Sequence, residues 1–175
     1  MNIRSFWLLF FFTIGCLHTV TANAKIHDPR SINKDVVDFI HIEKKKRQMT
    51  VFYRDQSPKT YRVALGFSPL GHKESKGDGK TPEGVYTITY KNPESRFHRS
   101  LKLSYPAPED WKRANRKGVH PGSDIMIHGL SERFAGVGKW HAIKDWTLGC
   151  IAVTNEEIEE IYRIAEVGTK VKISP

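Results

Sequence analysis

Asp145-Trp146-Thr147-Leu148-Gly149-Cys150-Ile151-Ala152-Val153-Thr154-Asn155-Glu156-Glu157 joins a short apolar run to a helix start. Ile151-Ala152-Val153 is an apolar run with two β-branched residues, as in a buried strand. Thr154 and Glu157 then stand in the spacing of a capping box, in which each side chain answers the other's backbone N–H. Ile158, Ile161, Tyr162 and Ala165 follow at i, i+3, i+4 and i+7, so the helix has one apolar face. Glu159 and Arg163 are spaced to pair on its exposed side, and Gly168 is placed to stop it. Val171-Lys172-Ile173 reads as a closing strand.

Upstream, the pattern is of strands rather than helices. Val37 to Ile42, Met49 to Tyr53, Thr60 to Leu65, Val85 to Tyr90 and Leu101 to Tyr105 alternate or run apolar between turn residues. Asp124 to His128 is a further short apolar run. Lys44-Lys45-Lys46-Arg47 reads as a solvated hairpin tip, and Gly66 to Gly84 as a surface loop. Pro108 to Arg116 suits a short helix ended by Gly118, and 129–146 reads as a long loop. About eight strands with one main helix after Cys150 predict a mainly β fold, a sandwich or barrel-like sheet pair.

The N-terminus describes export. One positive charge at Arg4, an apolar run from Phe6 to Leu17 and Ala22-Asn23-Ala24 together resemble a secretory signal peptide cleaved after Ala24. The run is shorter than the ~20 residues of a spanning helix. Thr13-Ile14-Gly15-Cys16 is a poor lipoprotein signal; if used, Cys16 would carry lipid. The expected organisation is a signal peptide at 1–24, a short leader at 25–34 and one catalytic domain at 35–175. The net charge of +9 suits an anionic envelope surface. An exported chain without a recognition motif is no nucleic-acid binder.

Of the two cysteines, Cys16 falls in the signal, so Cys150 has no partner for a disulfide after cleavage. An unpaired thiol in an oxidising compartment needs a reason to persist. Cys150 reads either as a nucleophile or as a packed small hydrophobe. His128, at the end of another strand, reads as its base or as a structural imidazole. Gly149 would allow a sharp turn that aims backbone amides at an oxyanion. The spacings of His120, His128, His141 and Cys150 match no tight zinc pair. Gly79-Lys80-Thr81 runs into Pro82 and a strand, which is not the setting of a phosphate loop.

Ile127-His128-Gly129, Thr147-Leu148-Gly149-Cys150 and the earlier Thr81-Pro82-Glu83-Gly84-Val85-Tyr86 resemble the L,D-transpeptidase catalytic domain, or YkuD, family over about residues 36–173. Its pattern is His-Gly, then Ser/Thr-x-Gly-Cys, with Thr-Pro-x-Gly-x-Phe/Tyr upstream. The resemblance implies a mostly β fold, export to the periplasm or cell wall, and acyl transfer on peptidoglycan stem peptides. It assigns Cys150 as nucleophile, His128 as base and then acid, and Gly149 as the turn before the nucleophile. It implies no metal or organic cofactor. The acyl acceptor is left open among another stem peptide, an envelope protein, a D-amino acid and water, so a carboxypeptidase or amidase is the hydrolytic alternative. An inactive peptidoglycan-binding module is the non-enzymatic one. Many members read Ser-His-Gly-Cys-x-Arg, whereas this chain has Leu148 and Ala152 at the second and last variable places. Asp145, Trp146 and Thr147 are therefore the expected substrate-binding residues here, with Trp146 as a wall and Asp145 orienting a neighbour. A sortase-like enzyme fits less well, because the next arginine, Arg163, falls on the capped helix. Papain-like wall peptidases place Cys before His.

Overall fold

The computed structural model describes residues 36–175. The expected signal peptide and leader lie outside the described residues. The strands are β1 (Val37–Glu43), β2 (Gln48–Tyr53), β3 (Lys59–Arg62), β4 (Gly84–Ser95), β5 (His98–Leu103), β6 (Met126–His128), β7 (Ile151–Ala152) and β8 (Lys170–Ser174). The helices are α1 (Pro108–Arg116) and α2 (Asn155–Ile164). The strands form one eight-stranded sheet in the order β3-β2-β1-β8-β4-β5-β6-β7. Neighbours are antiparallel except β1 with β8 and β6 with β7. The sheet curls until its far ends meet: Ala64, just past β3, exchanges hydrogen bonds of 3.0 and 2.9 Å with Ala152 of β7. The mainly β expectation holds, with one curled sheet in place of two stacked ones.

Period-2 alternation fills the interior. Ile40 and Ile42 of β1, Met49 and Val51 of β2, Leu101 and Leu103 of β5, and Val171 and Ile173 of β8 point inward and are buried. Ile158 and Ile161 of α2 close the same core. The capping box forms as expected, with Glu157 N–H donating to Thr154 Oγ1 at 3.2 Å and Thr154 N–H to Glu157 Oε2 at 2.9 Å.

Several expectations are corrected by pairing across the fold. Helix α2 ends at Ile164, short of Gly168, and Ala165 caps it by donating to Ile161 O at 2.8 Å. Glu159 pairs with Arg99 and His98 of β5 at 2.7 Å each, rather than with Arg163. The basic cluster forms the β1–β2 turn and is solvated only at Lys45 and Lys46. Lys44 is buried, and its ammonium donates to Thr81 O at 2.9 Å and Glu83 Oε1 at 2.8 Å. Arg47 clasps Asp145 at 2.7 Å. Both cations are carried inward because carboxylates and carbonyls distant in sequence meet them there.

Strand β4 runs five residues past Tyr90 to Ser95. Its polar end pairs Asn92 with Ser100 and Ser95 with His98, and the turn between the strands presents Arg96 and Phe97. The long loop contains a 3-10 helical stretch, Glu132–Ile143.

Candidate active site

The site is built across the β6–β7 pair, with His128 at the end of β6 and Cys150 just before the start of β7. Ile127 pairs with Ile151 and His128 with Ala152, and Val153 N–H donates to His128 O at 3.0 Å. This parallel pairing sets Cys150, the residue before β7, level with Met126, so that it shares one face of the sheet with His128. Both line one cavity of about 230 Å³, together with Ser95, Arg96, Phe97 and Asp124.

The turn before Cys150 is held from below by the glycine-rich loop. Gly149 has φ 129°, where only glycine is unstrained. A Cβ there would lie 2.6 Å from Lys80 O and 3.0 Å from Ile125 Cδ1. Gly66 is packed equally closely, since its Cβ would meet Gly79 O at 2.2 Å and Gly149 Cα at 3.0 Å. Within the loop Asp78 accepts from the backbone N–H of Glu74, Ser75 and Lys80, and pairs with the buried Lys73 at 2.8 Å. Thr81 is fully buried and accepts from Gly66 N–H at 3.0 Å. The stretch lies at the surface as expected, with Phe67, Leu70 and Lys76 exposed, while its buried members buttress the turn.

Of the residues expected to bind substrate, the structure turns two inward. Thr147 is buried; its hydroxyl donates to Cys150 O at 2.7 Å and accepts from Gly149 N–H at 3.1 Å. That bond commits the Gly149 amide, so the expected oxyanion role does not fall to it. Asp145 accepts from Arg47 and from Leu65 N–H at 2.9 Å, tying the loop to the β1–β2 turn, and lies outside the cavity wall. It does orient neighbours, but these are backbone and Arg47. Trp146 is more than a third exposed and stands edge-on to His128, with ring centres 6.0 Å apart.

His128 is fixed by stacking on Phe97, centre to centre 4.4 Å, and by a 2.7 Å bond between Nδ1 and Gly129 O. A carbonyl only accepts, so Nδ1 carries the proton and Nε2 keeps its lone pair. Burial pushes the His128 pKa down to about 4, partly opposed by the Gly129 bond, with Arg96 and His141 lowering it further. Burial also pushes the Cys150 thiol up, partly opposed by the Met126 backbone N–H. Cys150 is half-buried and its S–H donates to Asp124 O at 3.4 Å. At neutral pH the resting pair is therefore a thiol and a neutral imidazole.

The His128 shift has a consequence for stability. The unfolded chain takes up this proton near 6.5 and the folded chain only near 4, so between those values the unfolded state binds more protons. Its contribution is complete above pH 6.5 and is lost as the pH falls towards and through 4. Urea unfolding should show the native chain losing about 3 kcal/mol more than His128→Gln between pH 7 and pH 4. Equal losses in the two proteins would contradict the buried neutral imidazole.

Arg96, Phe97 and Asp124 were not expected at the site. The polar run before Arg96 hid the hairpin that carries it, and only the β5–β6 pairing brings Asp124 alongside. Among the described residues no group of three His, Cys, Asp or Glu is placed to hold a metal ion. His120 instead accepts from Gly122 N–H at 2.9 Å and packs edge-on to Trp111.

The L,D-transpeptidase catalytic domain family model matches residues 37–173 of the chain. The chain belongs to that family. Among L,D-transpeptidase relatives, it is 27% identical over 131 residues to YafK of Escherichia coli K12, a match covering 71% of this chain and 46% of YafK. It is 27% identical over 139 residues to YqjB of Bacillus subtilis 168, covering 78% of this chain and 70% of YqjB. Both relatives are provisionally named L,D-transpeptidases. The helical cell shape determining protein Pgp2 of Campylobacter jejuni shares the fold, with a TM-score of 0.59 and 24% identity over 79% of this chain and 47% of Pgp2. Bd1075 of Bdellovibrio bacteriovorus gives 0.53 and 23% over 79% of this chain and 48% of Bd1075. The chain thus spans less than half the length of YafK and of these two solved structures.

Proposed function

We propose that this L,D-transpeptidase domain is an exported cysteine acyltransferase acting on peptidoglycan stem peptides at the cell envelope. The observation that carries the reading is the shared cavity of Cys150 and His128, with His128 Nδ1 held by Gly129 O and Nε2 left as a base. The Cys150 thiol attacks the carbonyl of the L-centre of diaminopimelate in a donor tetrapeptide. Its proton passes to His128 Nε2 as the sulfur–carbon bond forms, because a standing thiolate–imidazolium pair is disfavoured on both partners. The Cys150 N–H, beside the committed Gly149 amide, is the backbone donor for the oxyanion. Collapse breaks the carbon–nitrogen bond, and His128 returns the proton to the departing D-alanine nitrogen. An amine or water then attacks the thioester, gives its proton to Nε2, and the sulfur regains it on release.

Arg96 supplies the positive charge for the donor's carboxylates. It lines the cavity, lies over Phe97 at 4.9 Å, and pairs with no acidic side chain among the described residues. Position 152, where many members carry arginine, is fully enclosed and bonded to Ala64. Arg96→Ala is expected to raise KM for tetrapeptide donors about tenfold, the worth of one charge-assisted bond, with a smaller change in kcat. A tetrapeptide whose diaminopimelate carboxylate is amidated should lose the distinction between the two proteins.

Incubation of the protein with disaccharide-tetrapeptides, followed by intact mass and muropeptide separation, tests the reading. The expected result is a covalent adduct that has lost D-alanine and that prior alkylation of Cys150 prevents. Absence of both adduct and product with all tetrapeptide donors would leave only a peptidoglycan-binding role.

A further inference from the structure

The sulfur of Cys150 is held by the segment that leads into β6. Its S–H donates to Asp124 O at 3.4 Å, and a contact with the Met126 N–H favours the sulfur once it ionises. Residues 124 and 126 thus meet the sulfur with one acceptor and one donor, the first suited to the thiol and the second to the thiolate. A thiol proton points at one acceptor at a time. In the resting protein it points at the Asp124 carbonyl, and it reaches His128 Nε2 by turning about the Cβ–Sγ bond while the sulfur stays in place.

The carbonyl is aimed by an uncommon backbone. Asp124 has φ 59°, in the left-handed region that few residues other than Gly, Asn and Asp adopt. The next residue cannot follow a change there, because Ile125 is buried and its carbonyl accepts from Leu103 N–H at 2.9 Å. A return of Asp124 to negative φ therefore swings its own carbonyl off the sulfur. The carboxylate takes no part in this contact. Its Oδ1 pairs with Lys102 Nζ at 2.7 Å and its Oδ2 accepts from Ser123 Oγ at 2.9 Å, both on an exposed side chain. The residue serves the site through its main chain.

We infer that Asp124 is a positioning residue for the reaction: its left-handed main chain holds the carbonyl that fixes the Cys150 sulfur and keeps the thiol proton until His128 takes it. The inference rests on the acyl-transfer reading above and deepens it by adding a group that acts through Cys150. As the reaction starts the S–H bond breaks and its proton goes to His128 Nε2. The electron pair stays on sulfur and forms the bond to the substrate carbonyl. Asp124 O loses its donor at that moment, while the Met126 N–H keeps its contact, so the sulfur is held from one side throughout.

Three substitutions in the full chain separate main chain from side chain. Each carries Cys16→Ser, as does the reference protein, so that Cys150 gives the single S–H band in the infrared spectrum. Asp124→Asn keeps the left-handed preference and loses the charge. Asp124→Gly keeps access to that conformation and loses the side chain, and Asp124→Ala loses both. The reference, Asn and Gly proteins are expected to share the lowered S–H frequency of a hydrogen-bonded thiol, and the Ala protein to show the higher frequency of a free one. Acylation by tetrapeptide in the Asn protein should stay within about twofold of the reference, while kcat in the Ala protein falls about tenfold below the Gly protein at the same KM. A loosened loop would instead make the Gly protein the slower of the two, since glycine is the more flexible residue. Three results overturn the inference: a Gly protein no faster than the Ala protein, a free S–H band in the reference protein, or a band shift in Asp124→Ala without loss of kcat. Should Asp124→Ala not fold, a free band in the reference or Gly protein still overturns it. Bands in the expected pattern on a chain that forms no acyl-enzyme keep the main-chain hold on the sulfur and remove the acyl-transfer reading instead, so the two failures are separable.

Discussion

Cys150→Ala is expected to abolish the acyl adduct and lower product formation at least ~10³-fold, while His128→Ala lowers acylation by a similar factor at pH 7 only. The difference follows from the resting protonation of the pair. Burial holds the thiol above its ordinary value and the imidazole near 4, so at neutral pH almost no thiolate exists until a base takes the proton during attack. Native activity should therefore stay level between about pH 5 and 8, above the imidazole's titration and below the thiol's. Without His128 the rate should climb steadily with pH, because only sulfur that ionises unaided can then attack and burial holds that fraction low. Rapid-quench intact mass across that range measures both. A His128→Ala protein as slow at pH 10 as at pH 7 would assign His128 to architecture, through its stack on Phe97, and not to proton transfer.

Gly149→Ala is expected to destabilise the chain by about 3 kcal/mol and to slow acylation about 100-fold. Two costs coincide at this position. The backbone sits at φ 129°, which a Cβ disfavours, and the added methyl would stand 2.6 Å from Lys80 O, a backbone atom that cannot rotate away. The turn or the glycine-rich loop has to move, and either shift displaces the sulfur from the cavity edge. Gly136→Ala serves as the comparison, because its Cβ would meet nothing within 4 Å, and it should leave both stability and rate unchanged. A Gly149→Ala protein with native urea midpoint and native rate would show that the turn accommodates a side chain, against the geometry of Lys80.

How far the sequence reached depends on how local each determinant is. Alternation in Ile40, Ile42, Met49 and Val51 announces strands because the pleat repeats every two residues, whatever the partner strand. Thr154 and Glu157 announce the α2 start because each satisfies the other's backbone within one turn. By contrast, Lys44 and Arg47 looked solvated because their partners, Thr81, Glu83 and Asp145, are far along the chain. Residues 91–95 gave no period, since both faces of that hairpin are polar, and so Arg96 and Phe97 went unnoticed.

The same division runs through the candidate site. From the sequence came Cys150 and His128 as a pair, the need for glycine at 149, and the mainly β frame, all of which rest on residue chemistry or short-range pattern. Only the tertiary structure decided that Thr147 and Asp145 face inward, that Gly149 N–H is spent on Thr147, and that Arg96, Phe97 and Asp124 complete the cavity. Those outcomes depend on β6 lying beside β7 and on the sheet curling until Ala64 meets Ala152. Pairings of that range are fixed by the free energy of the whole packed chain, and no local stretch encodes them alone.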